Sequence, residues 1–308
     1  MGLTDFLVNI IVPLSLFTIM AIIGMDLSIE DFKRIARYPK AILIGTFSQL
    51  TLLPLLAAGI IFLLSDTSLS LTHQSIGALI IFAACPGGGL SNIMTAQAKG
   101  NVALSVSYTA LYSMLGLITI PLIATLGFQL FLSETTTISV PLLPMIGQLI
   151  ILVFAPITLG MWFKSRHQQW VIEQDKNFNR LSNVLILIIV GMSFIVENGI
   201  TIAALNNAMP AALAFCVGSV LIGFIVVRLS GLDHKDSIAL LIEFSVRHAG
   251  IATLIIIVIL ERFDLMALLT ACAMTQLLLV LLITAWIRLS TKEPDKKSVK
   301  KAEARQQT

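Results

Sequence analysis

Long runs of apolar residues alternate along this chain with short polar segments. A helix needs about 20 apolar residues to cross the hydrocarbon core of a bilayer. Nine runs reach or approach this length and predict nine transmembrane helices, at 5–24, 39–63, 75–98, 102–127, 141–163, 181–198, 207–229, 236–260 and 264–288. No small-residue cleavage pattern follows the first run, so we expect it to be retained as a membrane helix.

The composition supports an all-α polytopic protein in a lipid bilayer. Of the 308 residues, 57% are hydrophobic and 12% are charged, whereas about a quarter of an average soluble domain is charged. So few charges exclude a soluble globule, a disordered chain and a nucleic-acid binder of ordinary composition. We expect residues 1–288 to form one membrane domain of a monomeric protein, and 289–308 to form a basic, disordered cytoplasmic tail.

The positions of Lys and Arg predict how the chain is oriented. If nine helices alternate across the membrane, 18 of the 20 basic residues lie on one side. The exceptions are Arg262, on the opposite side, and Arg247, within the eighth run. Because basic loops remain in the cytoplasm, we expect a multi-pass protein of the cell membrane with its N-terminus outside and its C-terminus inside.

Two of the nine runs contain residues that disfavour a continuous apolar helix. The third run carries CPGGGLSN at 85–92, where Pro lacks an N–H group and Gly disfavours helix. The eighth carries EFSVRHAG at 243–250, with three ionisable side chains at membrane depth. Since these runs correspond when runs one to four are laid on runs six to nine, they predict an inverted repeat with a binding site near the midplane. A kink that serves only helix packing is the alternative.

Several polar side chains at membrane depth carry the oxygen atoms that sodium, a hard cation, prefers. The predicted sodium-binding set combines a carboxylate with an amide and hydroxyls: Glu243, Asn92, Ser91, Ser105 and Thr109. Each hydroxyl taken alone is better explained by a hydrogen bond to its own helix. The sequence has no nucleophile–base pairing, phosphate loop or clustered metal ligands, so we expect no enzyme and no metal ion other than sodium.

These residues are similar to the motifs of the bile acid:sodium symporter family. The family's Cys-Pro-Gly-Gly and Ser-Asn signature occurs within 85–92, its Lys-Gly-Asn-Val-Ala-Leu-Ser-Val run at 99–106 and its Gly-Met-x-Leu-x-x-x-Asp-Phe motif at 24–32. The chain resembles the nine-helix form over roughly 12–288. The resemblance implies a core domain with two crossed, broken helices, a panel domain, and a first sodium site made of the five residues named above.

The resemblance also implies a second cation site, and there the chain departs from the family pattern. The matching positions are Gln49 on an early helix, the backbone carbonyls of Phe244 and Val246, and a Gln whose place is taken by Arg247. A guanidinium has donors only and cannot ligate sodium. His248 stands where the family has an Asn near the substrate. We therefore expect one intact sodium site.

Arg247 is open to three interpretations. It lies four residues after Glu243, so on a regular helix the two side chains would stack and neutralise each other. It could instead replace the second sodium as a fixed cation, or bind a substrate carboxylate through its planar fork. We expect the substrate contacts to come from four residues, namely Tyr112, Arg247, His248 and Thr275.

The sequence therefore predicts a secondary active transporter that couples sodium to the symport of an organic anion by alternating access. The anion would be bile-acid-like or a small organic acid, facing the positive ends of the half-helices. One alternative is a sodium-independent or proton-coupled carrier, in which Arg247 is a fixed cation and His248 titrates near neutral pH. Another alternative, from a different class, is a substrate-binding membrane sensor.

Overall fold

A computed structural model describes residues 10–35, 39–65, 71–132, 142–195 and 201–290. All regular secondary structure in these ranges is helical, which confirms the all-α class. The α-helices are α1 (Val12–Asp26), α2 (Ile29–Ile35), α3 (Pro39–Ser65), α4 (His73–Ala84), α5 (Gly89–Gln97), α6 (Val102–Phe131), α7 (Leu142–Leu149), α8 (Ala155–Arg166), α9 (Gln168–Ile195), α10 (Ile202–Ser230), α11 (His234–Ser245), α12 (Ala249–Leu254) and α13 (Met266–Ser290). Two π-helical turns, Ile150–Phe154 and Ile255–Ile259, follow α7 and α12, and a 3-10 turn, Phe263–Leu265, precedes α13.

Within the described ranges, six helical stretches are long and apolar enough to cross a membrane: Pro39–Leu64, Val102–Phe131, Leu142–Arg166, Ile202–Ser230, His234–Ile259 and Phe263–Ser290. A seventh candidate is the pair α4 and α5, which bends by 62° at its break. These stretches confirm a polytopic membrane protein but do not confirm the count of nine. The runs 5–24, 141–163 and 181–198 extend beyond the described ranges, and so does nearly all of the tail 289–308.

Helices α1, α8 and α9 pack together, and we call them the panel. A Cβ on Gly24 of α1 would lie 2.1 Å from the carbonyl oxygen of Ile157 on α8, and one on Gly160 would lie 2.0 Å from that of Ala21. Any side chain at either glycine would therefore push the two helices apart. Small residues of this kind let membrane helices pack backbone against backbone.

Helices α3 to α6 and α10 to α13 pack together, and we call them the core. They include the two interrupted spans, α4 with α5 and α11 with α12. The order of elements is the same in its two halves: a long helix with an internal proline (Pro54 in α3, Pro210 in α10), then a broken span, then another long helix. The stretch His234–Ile259 is the most enclosed of the six, with 78% of its most apolar part buried, against 28% for Pro39–Leu64. The ionisable residues of the eighth run thus lie at the centre of the core.

Large apolar residues cover much of the outer surface of the membrane-spanning helices, and many polar side chains of the core are buried. Phe62, Leu143 and Leu229 are each more than 70% exposed (76%, 77% and 82%). Helices that are apolar on every face are typical of proteins surrounded by lipid. The buried polar side chains of the core must then find their partners within the protein.

Asn101 links the end of the first interrupted span to the start of the second. Asn101 caps α6 by accepting a hydrogen bond from the N–H of Leu104. The same side chain donates to the Asp236 carboxylate over 2.7 Å, and the N–H of Asn101 donates to the carbonyl of Lys235 over 3.0 Å. The turn that follows α5 is therefore tied to the first turn of α11.

Candidate functional site

The two interrupted spans cross where each of them is unwound. The N–H of His248, between α11 and α12, donates to the carbonyl oxygen of Pro86, between α4 and α5, over 2.7 Å. Gln276 on α13 accepts from the N–H of Arg247 over 2.9 Å and donates to its carbonyl over 3.1 Å. Backbone groups released from a helix at membrane depth need such partners within the protein. Hydrogen bonds within the protein therefore stabilise the backbone at the crossing.

The carboxylate of Glu243 is fully buried beside this crossing. Its Oε2 lies 3.4 Å from Ser105 Oγ, and its Oε1 lies 3.4 Å from Thr109 Oγ1. These contacts are long in comparison with a hydroxyl group bonded to an ionised carboxylate, for which the distance is about 2.5–2.7 Å. Among the described residues, the ion pairs do not include Glu243. A buried carboxyl group in this setting requires a proton or a bound cation.

The other predicted sodium ligands surround this carboxylate. Ser105 Oγ donates to Asn92 Oδ1 over 2.8 Å, and the nearby Ser91 hydroxyl donates to the carbonyl of Gly88 over 2.7 Å. The structure therefore brings all five predicted residues together, from α5, α6 and α11. Oxygens that ligate a hard cation at about 2.4 Å and at right angles to each other are about 3.4 Å apart. The donor types and the spacing around Glu243 fit a cation such as sodium.

The first glycine of the CPGGG sequence, Gly87, leaves the space that this carboxylate occupies. A Cβ on Gly87 would lie 1.9 Å from Glu243 Oε1 and 2.6 Å from its carboxyl carbon. Real Cβ atoms do not approach other heavy atoms within 3.0 Å. The position of Glu243 thus depends on the missing side chain at Gly87.

Arg247 is 2% exposed and turns its guanidinium away from the Glu243 carboxylate. Its Nη2 donates to Gln49 Oε1 over 2.6 Å and to the backbone carbonyl of Glu243, and its Nη1 donates to the carbonyl of Cys85 over 3.2 Å. The ring of Tyr112 lies 5.8 Å from the guanidinium carbon, within the range of a cation–π contact. The Arg247 side chain therefore forms one cluster with Gln49 and Tyr112.

A cavity of about 520 Å³ separates the crossing from the panel. The core contributes the start of α5 and the unwound segment before α12, and the panel contributes apolar and acidic residues of α1 and α9. Asn92 lines this cavity and also accepts the hydrogen bond from Ser105. It therefore connects the cavity with the surroundings of Glu243.

His248 lines this cavity, and one of its ring nitrogens lacks a hydrogen-bond partner among the described residues. Its Nδ1 accepts a hydrogen bond from the N–H of Ile251 over 3.2 Å. A neutral ring in that arrangement carries its hydrogen on Nε2. Nε2 is buried and has no hydrogen-bond partner within the described part of the protein. His248 thus lines the cavity, while its Nε2 is enclosed by protein and is not open to the cavity.

The remaining predicted residues occupy different surroundings. Of the predicted substrate contacts, Arg247 and His248 line the cavity, while Tyr112 and Thr275 lie outside the set of described residues that lines it. Thr275 donates its hydroxyl to the carbonyl of Ala271 over 2.8 Å. Phe244 is buried against Gly223 of α10, and Val246 lines the cavity.

Sequence reasoning did not assign a role to several residues at the site. Gln276, next to the predicted Thr275, holds the backbone of Arg247 and lines the cavity. The sequence feature that could have indicated this role is the side-chain amide of Gln276 in the middle of the apolar run 264–288. Asp26 of α1 and Asp175 of α9 also line the cavity. Both lie in polar segments between predicted runs, where acidic residues are common.

Comparison with known proteins agrees with the geometry. The model of the Sodium Bile acid symporter family matches residues 13–205, which is more than half of the chain. The chain belongs to this family. The match spans the panel helices α1, α8 and α9 and the first broken span of this symporter-family chain.

Relatives within and beyond bacteria carry names that refer to sodium. The "Uncharacterized sodium-dependent transporter YocS" of Bacillus subtilis is 29% identical over 76% of this chain and 69% of its own length. The "Probable sodium/metabolite cotransporter BASS1, chloroplastic" of Arabidopsis thaliana is 28% identical over 73% of this chain and 54% of its own length. The human "Ileal sodium/bile acid cotransporter" is 25% identical over 75% of this chain and 64% of its own length. The family of this chain is thus a family of sodium-dependent transporters.

Proposed function

We propose that this protein is a secondary active transporter that couples the entry of sodium to the symport of an organic anion. The observation that carries the proposal is the buried Glu243 carboxylate, which has long contacts to two hydroxyls and no ion pair among the described residues. A bound sodium ion would supply the positive charge that this carboxylate needs. The sodium-dependent names of the relatives support the same cation.

The cavity between the core and the panel is the proposed substrate site. Its walls are mainly apolar, and its volume of about 520 Å³ suits an organic molecule of moderate size. The first turn of α5 favours an anion there, because its N-cap Gly88 has no side chain to satisfy the free N–H groups. The substrate class is therefore an organic carboxylate or a similar monoanion.

Asn92 would couple the two ions. Because its side chain touches Ser105 and also lines the cavity, a cation beside Glu243 changes what the substrate meets. Alternating access would follow from movement of the panel against the core, with the crossing kept intact by its backbone hydrogen bonds. In this proposal the cavity side with Asp26 and Asp175 faces the cytoplasm.

The test is an uptake screen of organic acids in proteoliposomes, with and without an inward sodium gradient. We expect at least one monoanion to accumulate only with the gradient. Glu243→Ala should abolish accumulation while the protein still inserts, because the cation loses its charged ligand. Glu173→Ala, which removes an exposed acid on α9, is the matched control and should accumulate substrate normally. Near-normal accumulation by Glu243→Ala would contradict the sodium site.

A second candidate function is a carrier that needs no sodium or is driven by protons. The observation that favours it is the buried Arg247 guanidinium, which already places a positive charge at the crossing. Uptake in sodium-free buffer between pH 5 and 8 separates the two functions. Full accumulation without sodium would support this carrier, and its loss would support sodium symport.

A further inference from the structure

The guanidinium of Arg247 lies in a cage of neutral oxygen atoms. Its three acceptors are the side-chain oxygen of Gln49 on α3, the carbonyl of Cys85 after α4, and the carbonyl of Glu243 on α11. All three residues are fully buried. Three separate elements of the core therefore direct an oxygen atom at one positively charged group.

Such a cage matches what a bare hard cation requires. Backbone carbonyls and amide oxygens are ligands that sodium and similar ions accept, and unwound helices in transporters present carbonyls for this purpose. Gln49 uses only its oxygen here, since its Nε2 has no partner among the described residues. The cage is thus arranged for positive charge and is occupied by a charge that belongs to the protein.

Hydrogen bonds hold Arg247 at its backbone and at its guanidinium. Gln276 holds both its N–H and its carbonyl, and the next residue, His248, is bonded to Pro86. The side chain is therefore anchored at its base as well as at its tip. A sodium ion in the same cage could enter and leave the protein, whereas the guanidinium is covalently attached to it.

We propose that Arg247 is a tethered cation that fills a cation-binding cage beside Glu243, so that the protein binds a single sodium ion. This inference rests on the proposed sodium symport, and it adds the number of ions and the residue that sets it. Removal of the charge without removal of the cage should turn the cage into a second sodium site. The oxygen of Gln49 should then be required for the second ion.

The experiment measures equilibrium binding of radioactive sodium to the purified full chain in lipid nanodiscs. We expect the wild type to bind one sodium ion per chain with a Hill coefficient near one. Arg247→Met, which removes the charge and leaves the three oxygens, should bind two ions. Arg247→Lys, which keeps a positive charge, should bind one. The double variant Arg247→Met with Gln49→Leu should return to one.

The outcomes separate this inference from the proposed function. Two sodium ions in the wild type would overturn the tethered cation, and this holds even if no variant folds. A folded Arg247→Met that binds no more sodium than the wild type would also overturn it, with folding checked by a cooperative thermal transition. No sodium in the wild type would contradict sodium symport instead, and a Gln49-dependent ion in Arg247→Met would then still support the cage.

Discussion

Substitution of Gly87 by alanine should disable the sodium site without removing any ligand. The new Cβ would lie 1.9 Å from Glu243 Oε1, whereas real Cβ contacts stay beyond 3.0 Å, so the carboxylate must move by more than 1 Å. A shift of that size takes an oxygen out of the coordination shell of a hard cation, whose ligands lie at about 2.3–2.6 Å. If the loss resembles that of a hydrogen bond to a charged group, about 1.5–3 kcal/mol, sodium binding weakens roughly 10- to 150-fold.

The chain offers a matched control two residues further along. A Cβ on Gly89 would meet its nearest neighbour, Asp26 Oδ2, at 3.7 Å, which is an ordinary contact. Gly89→Ala carries the same chemical change in the same segment and should bind sodium within about threefold of the wild type. The assay is sodium-dependent thermal stabilisation of the purified protein, titrated over at least three decades of sodium concentration. Equal sodium affinities for Gly87→Ala and the wild type would refute the placement of Glu243.

Two further predictions concern the membrane. A reporter that is active only in the cytoplasm should be on when fused after Thr308 and off when inserted within 128–140, because the basic loops lie inside; the same response at both positions would contradict the nine-helix topology. With one sodium ion per monoanion, a potential of −100 mV should leave the accumulation ratio in proteoliposomes unchanged. A second sodium ion would add about 2.3 kcal/mol, or about 50-fold, and an increase of that size would contradict the single-ion inference.

The sequence alone could predict the general architecture and the residues around Glu243. Lipid offers no hydrogen bonds, so every polar residue in an apolar run is costly and marks a place where the chain needs an internal partner. Glu243 and the 85–92 segment gave strong signals for this reason, and the structure brings them together. The hydroxyls of Ser105 and Thr109 share one face of α6 because they are four residues apart.

The direction of Arg247 could not be predicted from spacing. Four residues on a regular helix would stack its guanidinium on the Glu243 carboxylate, but α11 ends at Ser245, and the backbone at Val246 is extended. The side chain therefore meets the backbone carbonyl of Glu243 and the amide of Gln49. The predicted neutralising pair, one of the three interpretations, is not among the ion pairs of the described residues.

The role of Gln276 was equally hidden, for a related reason. Its partners are the backbone N–H and carbonyl of Arg247, and only the unwinding of the chain frees those groups for a side chain on α13. A sequence pattern can indicate that a helix is interrupted, but it does not show which distant amide satisfies the interruption. The neighbouring Thr275 offered a hydroxyl at almost the same position, and it bonds to its own helix.

A tethered cation changes how the two transported ions can depend on each other. With Glu243 ionised, its charge and that of Arg247 cancel, so the crossing has no net charge that would attract an anion. A sodium ion beside Glu243 leaves the crossing with one net positive charge. Two opposite unit charges about 8 Å apart attract by about 2 kcal/mol at an effective dielectric constant of 20, which corresponds to roughly 30-fold tighter binding. Electrostatic attraction across Asn92 is therefore large enough for one sodium ion to control the binding of one anion, and no second ion is needed for that coupling.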